Sequence, residues 1–190
     1  IDEMGEQLTQ LLETVEWIKV TRIKTEEATH SRVQNLLNGC KYHIVHYIGH
    51  GHYREDSSEQ SSLYFWEKEN RSGSVMPMAA SQLRLLLQDS NVRLFHLTCC
   101  EGSKTAGSAA LLENDYLSIS DGIMQAGVPA VLGYRWPVPA NRANDLALTF
   151  YRSLIQCGSP PLALLEARRE LAMKDKDEPT WVSPILICQE

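Results

Sequence analysis

Two periods of hydrophobic spacing take turns along this chain of 190 residues. Residues 4–14 set Met4, Leu8, Leu11 and Leu12 on one face at helical intervals, which predicts an amphipathic helix. Residues 17–23 alternate as a strand does. Thr25 then offers half of a capping box, Glu26 and Glu27 suit a helix amino terminus, and Val33, Leu36 and Leu37 supply the apolar stripe before Asn38 and Gly39 stop it. Two apolar runs, 42–49 and 92–99, have the length and β-branched or aromatic content of buried strands. Between them, residues 63–66 and 74–76, split by a charged turn through Asn70 and Gly73, predict a small hairpin. Pro77 precedes a helix over 79–88 with Leu83, Leu86 and Leu87 inward. Further along, the pattern predicts a helix over 117–126 ended by Gly127, a buried strand over 129–134, helices over 141–156 and 161–174, and a closing strand over 181–188. Strands and helices in this succession predict an α/β domain spanning 1–190: a mostly parallel central sheet, helices on both faces, and a small β-hairpin insertion.

Composition narrows the function without deciding it. At 43% apolar and 22% charged the chain has the make-up of a soluble globular domain, and no internal repeat or low-complexity tract interrupts it. A net charge of -6, with 18 basic residues scattered among 24 acidic ones, argues against a nucleic-acid surface, which requires clustered Lys and Arg. No apolar run reaches the ~18 residues of a membrane span and no basic leader precedes one, so a soluble, cytoplasmic protein is expected. Five cysteines, at 40, 99, 100, 157 and 188, make an odd set with an adjacent pair, and reduced thiols are the expectation.

Chemistry concentrates where the two buried runs end. Tyr42-His-Ile-Val-His-Tyr-Ile-Gly-His-Gly51 delivers His50, and Arg93-Leu-Phe-His-Leu-Thr-Cys-Cys-Glu-Gly102 delivers Cys100, each at the carboxyl end of a strand with glycine at once or one residue later. An imidazole within reach of a thiol supplies the proton transfer that a free thiol of pKa ~8.5 performs poorly, which is the apparatus of a cysteine peptidase. Strand parity sets Leu94, His96, Thr98 and Cys100 on one side and Phe95, Leu97 and Cys99 on the other, so Cys100 is the exposed thiol and Cys99 the core one. His46 and His52 are expected to orient His50 or to face solvent, and His96 to be a satisfied core histidine. A zinc site built from His43, His46, His50, His52, His96, Cys99 and Cys100 has no CxxC or HExxH spacing behind it, and alternation would separate these side chains; no metal or other cofactor is expected. Residues 102–108 imitate a phosphate loop but have no lysine followed by Ser or Thr at the second glycine, and no Gly-x-Ser-x-Gly elbow supports a serine hydrolase. Residues 52–60 and 102–114 are polar, and surface loops are expected there, the second of them mobile.

These boxes resemble those of the CHAT family, the caspase-like domains associated with tetratricopeptide repeats, whose relatives include separase and the repeat-linked peptidases of CRISPR systems. Val45-His-Tyr-Ile-Gly-His-Gly51 is similar to the family's His-x-x-Gly-His-Gly box, and Leu97-Thr-Cys-Cys-Glu-Gly102 to its Leu-Ser-Ala-Cys-Glu-Thr box. Residues 126–136, ending in Arg135 and Trp136, resemble the strand that ends in Leu-Trp, and Pro179-Thr-Trp181 the Pro-x-x-Trp before the last strand. Three departures stand out: Cys99 replaces alanine, Gly102 and Ser103 replace Thr-Gly, and Pro139 and Ala140 replace Thr-Asp or Asp-Asp.

The resemblance implies a caspase-haemoglobinase fold whose opening strand, with a repeat domain, lies upstream of Ile1. It also implies a cysteine endopeptidase acting on a protein or peptide substrate under the control of that repeat region or of a partner. Cys100 would attack the carbonyl, His50 would protonate the leaving amine, and the backbone N–H groups of Gly51 and Cys100 would hold the oxyanion. The substrate pocket would lie between the ends of the Cys100 and Trp136 strands, with Thr98, Glu101, Asp115, Asp121, Arg135 and Trp136 as candidates. Its acidic members favour a neutral or basic residue before the cleaved bond, whereas Arg135 could receive a carboxylate. The alternative class is a catalytically silent caspase-like scaffold, against which the presence of both His50 and Cys100 weighs.

Overall fold

The computed structural model describes residues 1–39, 41–52, 61–69, 72–99, 112–136 and 138–189, with residues 52, 72, 99 and 112–118 given by backbone alone. Three parallel strands and one antiparallel strand make the central sheet: β1 (Ile44–Gly49), β5 (Leu94–Cys99), β6 (Ala130–Tyr134) and β7 (Pro184–Cys188), in the order β1-β5-β6-β7. A second sheet of order β2-β3-β4 joins β2 (Gly51–His52) to the hairpin of β3 (Ser62–Lys68) and β4 (Ser72–Ala79). The expected hairpin is therefore present, and its third strand begins at the residue after His50. The helices are α1 (Asp2–Glu13), α2 (His30–Leu37), α3 (Ala80–Leu87), α4 (Leu112–Gln125), α5 (Ala140–Cys157) and α6 (Pro160–Lys174).

Alternation along the parallel strands divides the core into two layers. Phe95, Leu97 and Val131 pack with Leu37 of α2, Leu83 and Leu87 of α3, Ile119 and Ile123 of α4, and Leu63, Phe65 and Met78 of the hairpin. Leu94, Ala130 and Leu132 face the opposite way, onto Leu8 of α1, Phe150 and Tyr151 of α5, and Ala167 of α6. Phe95 and Phe150 are almost wholly buried, and each such side chain contributes on the order of 2–3 kcal/mol of transfer free energy. A mostly parallel sheet covered by helices on both faces is thus what the hydrophobic pattern builds. Gly127 ends α4 at φ +89°, a left-handed conformation that glycine adopts without steric cost.

Several elements differ from their expected bounds. Residues 17–23 form no strand: Ile18 and Val20 are half-buried and Lys19 and Thr21 exposed, but no ladder joins them and Trp17 is 73% exposed. The segment is held from α1 instead. Arg22 pairs with Glu6 and donates to the Asp2 carbonyl oxygen at 2.6 Å, and the Thr25 N–H and hydroxyl donate to Asp2 Oδ1 at 3.0 and 2.8 Å. Alternation here records half-burial without a strand partner. Thr25–Glu27 is a 3₁₀ turn, and α2 starts later, where the Thr29 hydroxyl accepts from Arg32 N–H at 3.2 Å. Pro77 lies within β4 opposite Tyr64, tolerated because β4 is an edge strand. Helix α4 begins at Leu112, five residues ahead of its expected start, and a 3₁₀ turn over Pro179–Val182 delays β7 to Pro184.

Candidate active site

Strands β1 and β5 run parallel and in register from Ile44↔Leu94 to Gly49↔Cys99, so they end at one level of the sheet. In sequence, His50 follows the first end and Cys100 the second. The His50 side chain is exposed. Cys100 and Glu101 lie outside the described residues, as do 53–60 and the expected loop as far as 111. Asp115 sits in α4, described by backbone alone, and Asp121 is exposed on the same helix.

Beneath these ends lies a polar cluster that joins His46 of β1 to His96 and Thr98, which strand parity had set on one side of β5. His46 and His96 are register partners, and their rings stack at 4.0 Å between centroids with only 6° between planes. Thr98 is 1% exposed, and its hydroxyl stands 2.9 Å from His46 Nε2 and 3.4 Å from His96 Nε2. One hydroxyl thus faces two imidazole nitrogens, and the tautomers of the two rings set which bond it donates and which it accepts. The Tyr151 ring closes the cluster at 5.6 and 5.8 Å from the two imidazoles, and Phe150 and Tyr134 flank His96. Neither Nδ1 atom nor the Tyr151 hydroxyl, all buried, has a hydrogen-bond partner among the described residues. His96 is therefore a core histidine that is only half satisfied, and His46 bonds to Thr98 without reaching His50. The Thr98 hydroxyl is directed into this cluster and is buried there.

Burial holds both imidazoles neutral, His46 adding to the effect on His96. Their folded pKa values lie below the unfolded value of 6.5, so the folded state binds fewer protons than the unfolded chain as pH drops. This contribution is complete above pH ~6.5 and is lost on acidification, by up to about 1.4 kcal/mol per histidine per pH unit. Urea unfolding at pH 8, 6.5 and 5 should show the loss, and a His46→Gln, His96→Gln double variant should have a flatter profile. Equal slopes for the two proteins would remove the cluster from the explanation of acid sensitivity.

On the other face of β1, Tyr47 packs edge-to-face on Phe65 at 5.4 Å, with its hydroxyl 2.7 Å from the His50 carbonyl oxygen and 2.9 Å from that of Tyr64. The ring crosses Gly49 so closely that a Cβ there would lie 2.5 Å from the hydroxyl. The Tyr64 N–H also donates to the His50 carbonyl, at 3.0 Å, and His52 pairs with Ser62. Gly51, between these two bonded positions, sits opposite Leu63 and turns its own N–H away from β3, toward the edge of β2 that has no partner strand among the described residues.

At the end of β6, Arg135 is exposed and Trp136 half-buried, Trp136 packing with Ile48 against Met4, Val138 and Ala143. Ser183 pins this turn: its carbonyl accepts from Arg135 N–H at 2.9 Å, and its hydroxyl donates to the Trp136 carbonyl at 2.9 Å. Arg168, bonded to the Pro184 carbonyl, is near enough for Arg135 to add to the downward shift that its own burial causes. Cys157 and Cys188 are exposed free thiols. Among the described residues no group of three His, Cys, Asp or Glu side chains is assembled for a metal, and no helix is long and apolar enough to cross a membrane.

Sequence reading had not singled out Tyr47 or the stacked imidazoles. A signal for the latter existed, because His46 stands four residues before His50 and His96 four residues before Cys100, and equal offsets in a parallel pair place side chains together. A comparison with curated proteins returned no match. The family model for the CHAT domain matches residues 2–188, nearly the whole chain, and the mixed sheet with helices on both faces is the caspase-like arrangement. The chain belongs to the CHAT family of caspase-like peptidases.

Proposed function

We propose that this protein is a cysteine endopeptidase with a His50–Cys100 dyad. One observation supports the reading: β1 and β5 are neighbours, parallel and in register to Gly49↔Cys99, and in sequence His50 follows the end of the first strand and Cys100 the end of the second. The Cys100 thiolate adds to the scissile carbonyl, forming a C–S bond, and the C–N bond breaks as His50 gives a proton to the leaving amine. Water, deprotonated by His50, then releases the acid from the thioester. Negative charge on the carbonyl oxygen is met by the Gly51 N–H, whose direction away from β3 supports that role, together with the N–H of Cys100.

Substrate choice falls to the end of β6, where Trp136 shares a packing cluster with Ile48, and to the acidic residues Glu101, Asp115 and Asp121. A neutral or basic residue before the cleaved bond suits that charge, and a repeat region or partner protein is assigned the task of completing the cleft. The test is a proteome-derived peptide library with new amino termini mapped by mass spectrometry, against Cys100→Ala as blank. Termini absent from the blank, following neutral or basic residues, are expected. Cleavage after aspartate, lost in Arg135→Ala, would make Arg135 the specificity residue and reverse the assignment.

A further inference from the structure

We infer that Tyr47 is a positioning residue for the oxyanion donor, an inference that rests on the cysteine-peptidase reading. The His50 carbonyl and the Gly51 N–H belong to one peptide unit, trans like every described peptide bond in the chain, so they point in opposite directions. Whatever fixes the carbonyl fixes the N–H. Two donors converge on that oxygen, the Tyr47 hydroxyl at 2.7 Å and the Tyr64 N–H at 3.0 Å. The hydroxyl also stands 2.9 Å from the Tyr64 carbonyl, dividing its proton between the strand that carries the base and the strand beside it.

The sequence is built to admit this contact. Gly49 leaves room for the ring to pass, and Phe65 holds the ring edge-on from below. A carbonyl that accepts two hydrogen bonds polarises its own amide, which strengthens the N–H on the other side as a donor. Tyr47 therefore acts on the developing oxyanion through one peptide plane, without touching substrate.

The discriminating experiment compares two reactions of the same thiol. Acylation by p-nitrophenyl acetate passes through an oxyanion: the thiolate adds to the ester carbonyl and nitrophenolate leaves. Alkylation by iodoacetamide displaces iodide at carbon and places no charge on a carbonyl oxygen. Tyr47→Phe keeps the ring on Phe65 and removes only the hydroxyl. It is expected to slow the Cys100-dependent acylation burst, corrected with Cys100→Ala, about tenfold, a fraction of the ~10²–10³-fold that loss of an oxyanion donor costs. Alkylation of Cys100, followed by peptide mapping, should stay within twofold of wild type. Equal slowing of both reactions would mean that Tyr47 acts on the thiol or on the fold, and no slowing of either would mean that it orients nothing; each overturns the inference. Should Tyr47→Phe fail to fold, 3-fluorotyrosine at position 47 keeps the donor and makes it slightly stronger, so acylation should hold or rise, and a fall would overturn the inference. A wild-type protein with no burst above Cys100→Ala would defeat the peptidase reading itself, and this inference with it.

Discussion

Cys100→Ala and His50→Ala are each expected to reduce peptide-bond cleavage by at least ~10³-fold while leaving the unfolding midpoint close to wild type. In the proposed mechanism, loss of either member would stop the same step, because the thiol would supply the bond and the imidazole would move the proton, and residues acting as a unit fail together. His50 is exposed, and exposed positions outside special contacts usually change stability by less than about 0.5 kcal/mol. Cys99→Ala should keep most of the activity. Alternation holds along the described side chains of β5, with Phe95 and Leu97 in one core layer and Leu94 in the other, where His96 meets Phe150 and Tyr151. Cys99 continues the first set in sequence and Cys100 the second. Activity lost in Cys99→Ala without unfolding, and retained in Cys100→Ala, would exchange their roles.

Gly49→Ala is expected to destabilise the protein by about 1–3 kcal/mol, the usual cost of adding a group to a filled space, and to lower cleavage as well. The new methyl would lie 2.5 Å from the Tyr47 hydroxyl and 2.6 Å from Cζ, so the ring has to move. It cannot move without giving up Phe65 and both carbonyl contacts. A double-mutant cycle isolates the cause. In a Tyr47→Leu background, where hydroxyl and Cζ are both gone, adding Gly49→Ala should cost less than about 0.5 kcal/mol. An undiminished cost there would show that the strand backbone, and not the ring, demands glycine.

What the sequence made legible follows from which interactions are local. Helical spacing of Met4 and Leu8, the glycine at 127, and the apolar runs over β1, β5 and β6 are each properties of a few consecutive residues, and each gave the right element. Residues 17–23 misled because half-burial against α1 through Arg22 and Thr25 leaves the same alternation as a strand. The cap of α2 was placed four residues early because Thr25 with two glutamates imitates a helix start that Thr29 provides. The ends of β1 and β5, at Gly49 and Cys99, were readable, since strand endings are local. Register is not local: only the pairing His46↔His96 turns two separate histidines into a stacked pair on Thr98, and only the β2–β3 pairing gives the Gly51 N–H its direction. Tyr47 stayed hidden for the same reason, its two carbonyl partners being His50 and the distant Tyr64.

The central claim is that one of five cysteines is a nucleophile served by His50. Brief treatment with a peptide acyloxymethyl ketone, followed by digestion and mass spectrometry, measures the rate of adduct formation at each thiol. The expected result is a fast adduct at Cys100 alone, slowed at least tenfold in His50→Ala, with the exposed thiols Cys157 and Cys188 left at the background rate of an ordinary cysteine. Labelling of Cys100 no faster than Cys157, or unaffected by His50→Ala, would contradict it.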